Sequence, residues 1–219
     1  MSYNIAIDGP AGAGKSTIAR RVAKKLGFIY VDTGAMYRAI ALYMLENKLE
    51  EEAMIAKAVE DVNVKIVYED GEQQVLLNDK NVSGLIRTEE VGKMASCVAK
   101  VGAVREQLLD LQRALAKTEN VIMDGRDIGT HVLPNADLKI YLTASSRERA
   151  NRRYKELTEK GVAYDLAVIE QDIIARDHQD MNRAIAPLKQ AEDAVLVDSS
   201  DMSIEEVVDA IIAAFKEKC

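Results

Sequence analysis

The sequence predicts an α/β protein: a parallel core sheet within three α/β/α layers, with a small antiparallel lobe inserted. Three observations carry that prediction. Short apolar runs alternate with amphipathic stretches along most of the chain, as in a parallel sheet covered on both faces. The first apolar run ends on a glycine-rich loop that leads straight into a helical pattern. One stretch, from about 63 to 84, breaks the alternation with closely spaced strand-like segments around turn residues.

Taken in order, "YNIAID" is a buried strand that ends at the glycine loop. From Lys15 to Leu26, Ile18, Val22, Ala23 and Leu26 recur at helical spacing, and Gly27 is the stop. "FIYVD" (Phe28 to Asp32) reads as the second strand and "MYRAIALYML" as the helix after it. "NVKIVYEDGEQQVLLNDKNVSG" carries hairpin turns at "EDGE" and "NDKN", and the helical segment "RTEEVGKMASCVAKVGAVREQLLDLQRAL" follows. Antiparallel hairpins do not belong inside a parallel sheet, so residues 61–100 are taken as an inserted lobe between core segments 1–60 and 101–219. "NVIMDG" (Asn120 to Gly125), "LKIYL" (Leu138 to Leu142) and "AVLVD" (Ala194 to Asp198) are the remaining strands. Helical stretches cover Val104 to Lys117, Ser146 to Lys160, Tyr164 to Asp180 and Ile204 to Lys216.

The chain of 219 residues is long enough for one sizeable core, and 48% hydrophobic with 30% charged residues is an ordinary globular composition. A net charge of -7 argues against a general affinity for nucleic acid, although it leaves room for a local basic pocket. Cys97 and Cys219 are too few and too far apart for a disulfide framework or a metal site, and they read as free thiols in a reducing compartment. No cationic and apolar leader opens the chain, and no apolar run approaches the ~18 residues of a membrane span. The expectation is a cytoplasmic protein with no membrane partner; the lack of a heptad seam makes it a monomer.

The loop "DGPAGAGKST" holds Gly9-x-x-x-x-Gly14-Lys15-Ser16, the full pattern of a phosphate-cradling P-loop. Gly9, Gly12 and Gly14, with Pro10, Ala11 and Ala13 between them, permit a path on which consecutive N–H groups face one concavity. The helix that begins at Lys15, Ser16 and Thr17 adds the positive end of its dipole. Lys15 supplies a point charge for the β and γ phosphates, and the Ser16 hydroxyl is placed to ligate Mg²⁺. Asp124, ending the apolar run "VIM", is a candidate to order Mg²⁺ through water; the alternative is a strand-end carboxylate that caps a turn. ATP or GTP is the ligand class.

A switch GTPase would carry an Asn-Lys-x-Asp signature, which is absent, and a motor ATPase would usually be larger. Phosphoryl transfer to a small anionic acceptor instead needs arginines around a second phosphate and over the transfer path. The chain has Arg38, Arg105 and Arg126, then Arg147, Arg149, Arg152 and Arg153 in "SSRERANRR", and Arg176 and Arg183 in "ARDHQDMNRA". Several sit soon after strands, where open α/β sheets place ligands. Arg152 and Arg153 lie three and four residues after Arg149, so one face of a mobile lid at about 145–163 could close over the phosphates. The alternative is a basic surface helix balanced by Glu148, Glu156 and Glu159.

"IDGPAGAGKST", "DTGAMYRA", "NVSGLIRTEEV", "DGRDIGT" and "RDHQDMNRAIAPL", in this order, resemble the bacterial cytidylate kinases over nearly the whole chain. The resemblance implies a P-loop nucleoside monophosphate kinase whose inserted lobe helps bind the monophosphate. It implies that Thr33, Arg38, Arg126 and Arg183 hold the acceptor phosphate, with threonine standing where some relatives have serine. It further implies that Ser96, Arg105 and Asp127 contact the cytosine, and that Arg176 and Asp180 engage the ribose. The carboxylate of Asp127 suits the exocyclic amine of cytosine, and uracil would set a carbonyl against it. Arg149 and Arg153 fall in the family's lid.

The expected reaction is in-line transfer of the γ-phosphoryl of ATP to CMP or dCMP, with Mg²⁺ as cofactor and Lys15, Arg126, Arg149 and Arg153 as the charges that stabilise transfer. No general base is required, because a phosphate oxygen is already an anionic nucleophile. Two rivals remain open: a kinase for UMP or shikimate, and a nucleotide-sensing protein that binds ATP without turnover.

Overall fold

The computed structural model describes residues 2–219, which divide into two compact units. The first is Tyr3–Phe28 with Val121–Cys219; the second is Ile29–Asn120 together with Ser2.

The first unit is organised by parallel strands. β1 (Asn4–Asp8) pairs with β6 (Val121–Gly125) on one side and β7 (Leu138–Thr143) on the other, and β7 pairs with β8 (Val195–Asp198). β1 has Ile5, Ala6 and Ile7 fully buried and β6 has Val121, Ile122 and Met123, so these strands are apolar on both faces, as parallel strands must be. The register sets Ile7 beside Asp124 and Asp8 beside Gly125, so carboxylates of neighbouring strands end at the same edge of the sheet.

Helix α1 (Lys15–Leu26) buries Ile18, Ala19, Val22 and Ala23 against the sheet, and Gly27 closes it in the left-handed conformation with φ 71°. Helix α8 (Ile204–Lys218) starts from a Ser203–Glu206 capping box and packs on α1, where Phe215 meets Phe28 edge-on at 5.5 Å. Helices α6 (Ser146–Glu159) and α7 (Leu166–Asn182) pack on each other through Ala150, Leu157, Leu166, Ile169 and Ile173. Ion pairs between Arg147 and Glu170 and between Arg149 and Asp177 join the same two helices, and α6 is the part that falls within the predicted lid.

The second unit holds β2 (Ile29–Asp32), α2 (Thr33–Glu46), α3 (Glu52–Ala58) and a 3₁₀ turn at Val59–Asp61. The antiparallel sheet follows, with β3 (Val64–Glu69), β4 (Glu72–Leu77) and β5 (Lys80–Asn81) in that order. Both hairpins close through two residues at positive φ, Asp70–Gly71 and Asn78–Asp79, the turn form that the "EDGE" and "NDKN" stretches predict. The helical segment after them is two helices, α4 (Glu89–Val98) and α5 (Gly102–Thr118), because Val101 is extended and interrupts the helical run. Two further elements escape the periodicity: α3, and a π-helical turn at Ile128–Val132 directly after "DGRD". No helix among the described residues is long and apolar enough to cross a membrane.

Candidate active site

The phosphate loop runs from the end of β1 to the start of α1. Its first glycine is irreplaceable for steric reasons: Gly9 has φ 149°, and a Cβ there would stand 1.9 Å from the Leu142 carbonyl oxygen of β7. Gly12 has φ 76° and lies against Arg149, whose Cβ would be 3.4 Å from an added methyl. Pro10 and Ala13 are buried, while Thr17 is exposed on the first turn of α1. Lys15 is buried and donates to the Pro10 carbonyl at 2.8 Å. Burial first, and then the neighbouring Arg126 guanidinium, push its ammonium well below the usual lysine range. Such a cation gains strongly from an anion placed beside it. Ser16 donates to Asp124 at 3.0 Å, so the loop hydroxyl and the buried strand-end carboxylate form one pair of hard oxygen donors.

Beyond the loop, four predicted acceptor residues pair with one another. Arg126 donates to Asp180 at 2.8 Å, and Arg183 donates to Asp127 at 2.9 Å. The second pair has side chains only 6% and 7% exposed, so each charge depends on the other for compensation. Arg183 also donates through Nε to the carbonyl of Ala186 at 2.7 Å; Ala186 has φ 46°, a strained conformation for a residue with a Cβ. Arg176 lies on α7, half-buried, one residue before Asp177.

The lid arginines separate according to their partners. Arg149 is buried and donates to the carbonyls of Ala144 at 2.9 Å and Ala11 at 2.8 Å, with Asp177 2.7 Å from its third nitrogen. Arg152 binds the Ser199 carbonyl at 2.7 Å, and Arg153, 43% exposed, pairs with Glu156 at 3.2 Å.

The other predicted acceptor residues belong to the second unit. Thr33 is buried in the first turn of α2, Arg38 lies one turn on, and Ser96 Oγ donates to the Gly92 carbonyl at 3.4 Å within α4. Arg105 is buried on α5, stacks over the Tyr37 ring at 5.7 Å and donates to the Ala99 carbonyl at 3.3 Å. Asp32 caps α2 by accepting from Ala35 at 3.0 Å and binds Arg87 at 2.9 Å.

Sequence reasoning did not single out Asp8 or Asp177. Asp8 is buried and accepts from the backbone N–H groups of Ile128 at 2.8 Å and Gly129 at 2.7 Å, tying the end of β1 to the turn after Asp127. Desolvation outweighs these bonds and raises its carboxyl from 3.8 to about 6. A carboxylate at the mouth of the loop was its sequence mark. That of Asp177 was its place three residues before Asp180, on the same helical face.

A phosphate loop on a parallel sheet covered by helices, with a small antiparallel sheet in the same chain, is the architecture of the P-loop kinases. The shikimate kinase from Bacteroides thetaiotaomicron shares the fold, with a TM-score of 0.50, 14% identity, and 98% of each chain covered. The family is narrower. The sequence profile of the cytidylate kinases matches residues 5–217, and the chain belongs to that family. It is 50% identical to the cytidylate kinase of Caldicellulosiruptor bescii over 97% of this chain and 95% of that one. Identity to the cytidylate kinase of Halalkalibacterium halodurans is 48%, over 98% of both chains.

Proposed function

We propose that this protein transfers the γ-phosphoryl group of ATP to the 5′-phosphate of CMP or dCMP, releasing ADP and CDP or dCDP. The observation that carries the reading is the coexistence, in one compact unit, of a complete phosphate loop with the ion pairs Arg126–Asp180 and Arg183–Asp127. A protein that only sensed ATP would have no use for a second set of arginines.

In this reading Gly9 to Thr17 hold the donor, with Lys15 set against its β and γ phosphates. Thr33, Arg38, Arg126 and Arg183 hold the acceptor phosphate; Ser96, Arg105 and Asp127 read the base; Arg176 and Asp180 meet the ribose. An acceptor phosphate would give Arg126 and Arg183 a new anionic partner. That exchange would release the carboxylates of Asp180 and Asp127 for the ribose and the cytosine amine. One phosphate oxygen of CMP attacks the γ-phosphorus as the bond to the β-phosphate oxygen breaks, and no proton need be removed from the nucleophile. Arg153 can add its charge to the transferring group on leaving Glu156, as a closing lid would allow. Ser16 and, through water, Asp124 would hold Mg²⁺; their oxygen donors suit a hard cation. Bound there with ATP, Mg²⁺ would neutralise charge on the β and γ oxygens. The proposal extends to a monomer acting in the cytoplasm, in pyrimidine nucleotide metabolism.

The test is a coupled ADP-release assay with Mg·ATP and CMP, dCMP, UMP, AMP, dTMP and shikimate in parallel. The expected result is turnover strongest with CMP and dCMP. Turnover with none of the six, despite ATP binding, would leave the sensing role standing in its place.

A further inference from the structure

Arg149 and Asp177 make a closed arrangement around one residue of the phosphate loop. The Ala11 carbonyl accepts from Arg149 at 2.8 Å, and the Ala11 N–H donates to Asp177 at 3.4 Å. Arg149 and Asp177 meet each other at 2.7 Å, with side chains 6% and 11% exposed. The remaining guanidinium nitrogen, Nε, is held by the Ala144 carbonyl at the entry to α6. All three nitrogens of Arg149 therefore have partners within the protein, and its charge is matched by a carboxylate. The preceding carbonyl, that of Pro10, is bound by Lys15 at 2.8 Å. Two consecutive loop carbonyls are thus tied to cations, which keeps their dipoles from turning into a cradle that must present N–H groups to phosphate.

We propose that Arg149 and Asp177 act together as a clamp on Ala11, as positioning residues for the donor site. The inference rests on reading Gly9 to Thr17 as the ATP cradle, and it refines the lid role expected of Arg149. It gives Asp177 a task that the sequence did not disclose. Asp177 follows Arg176, which the family resemblance assigns to the acceptor, yet its contacts are with the donor loop. A clamp of this kind makes a distinctive prediction. Since the ion pair between them holds both side chains against Ala11, loss of either should release the other and cost nearly as much as loss of both.

The experiment is calorimetric titration of ADP and of CMP, separately, into wild type, Asp177→Asn, Arg149→Lys and the double variant. Hydrogen exchange is followed on a peptide spanning residues 9–14, and the thermal midpoint of each variant is recorded. The clamp predicts that each single variant binds ADP about tenfold more weakly, as for a lost charge-assisted hydrogen bond. The double variant should fall no more than about threefold below the weaker single one. CMP binding should stay within about twofold of wild type, and amides of the loop should exchange faster. Three results would each overturn the proposal: ADP affinity unchanged in Asp177→Asn, an equal loss toward CMP, or single losses that multiply in the double variant. A general weakening of the fold would lower both affinities together and so counts against the clamp. Failure of the reaction reading would look different, since wild type would not turn over CMP while the ADP result stood.

Discussion

In the phosphate loop the glycine-shaped main chain forms the cradle, Lys15 and Ser16 add one side-chain charge and one hydroxyl, and Arg149 and Asp177 hold the main chain at Ala11. In the cluster of Arg126, Asp127, Asp180 and Arg183 the offered groups are side chains, held by one another. The first arrangement has no room for a Cβ at Gly9. The second depends on charge, because the Arg183–Asp127 side chains are almost wholly withdrawn from water and loss of either ion weakens the compensation of the other.

The largest effect should come from breaking the loop's steric rule. Gly9→Ala drives a methyl into the Leu142 carbonyl, so chemical denaturation should find a stability loss of about 4 kcal/mol or more, with ATP binding gone. A stable Gly9→Ala protein that still bound ATP would break the account of the loop. Next, Lys15→Met removes the buried cation while keeping the stem. Turnover should fall about 10²–10³-fold in the ADP-release assay with the thermal midpoint nearly unchanged.

Asp8 sharpens the comparison, because it joins the two regions: it ends β1 at the loop and holds the turn beyond Asp127. Its carboxyl is raised from 3.8 to about 6, so the folded state binds the extra proton between those values. Stability from this group is complete below about pH 4 and lost as pH rises through about 6, since the charged form is the one that burial disfavours. Asp8→Asn has no such titration. The stability difference between Asp8→Asn and wild type should therefore shift in the variant's favour by up to about 3 kcal/mol between pH 4 and pH 7. A flat difference across that range would show that Asp8 ionises normally. The smallest effect belongs to Arg153→Ala, an exposed pair with Glu156, which should change stability by no more than about 0.5 kcal/mol. A marked loss of turnover in that stable protein would then isolate a lid contribution.

The regions also differ in how far the sequence discloses them. The loop is contiguous, so Gly9, Gly14, Lys15 and Ser16 announce it through spacing alone, and the parallel strands follow from apolar runs such as "NIAID" and "VIMDG". The hairpins were equally legible, because Asp70–Gly71 and Asn78–Asp79 are local turn chemistry. The break between α4 and α5 was not, since nothing in "CVAKVGAV" forbids a continuous helix. The partners of the arginines were hidden for a different reason. Arg149 meets Ala11 from 138 residues away, and Arg126 meets Asp180 from 54. Periodicity on one helix grouped Arg149, Arg152 and Arg153, but it carries no information about which carbonyl or carboxylate each one finds.

The most direct test of the central claim, that side-chain charge reads the acceptor while the backbone grips the donor, is the ratio of kcat/KM for CMP over UMP in wild type and Asp127→Asn. The account predicts a large ratio in wild type and a fall of at least about tenfold in the variant, because the amide accommodates a uracil carbonyl as readily as a cytosine amine. The KM for ATP should stay within about twofold. An unchanged ratio, or a loss that falls on ATP instead, would contradict it.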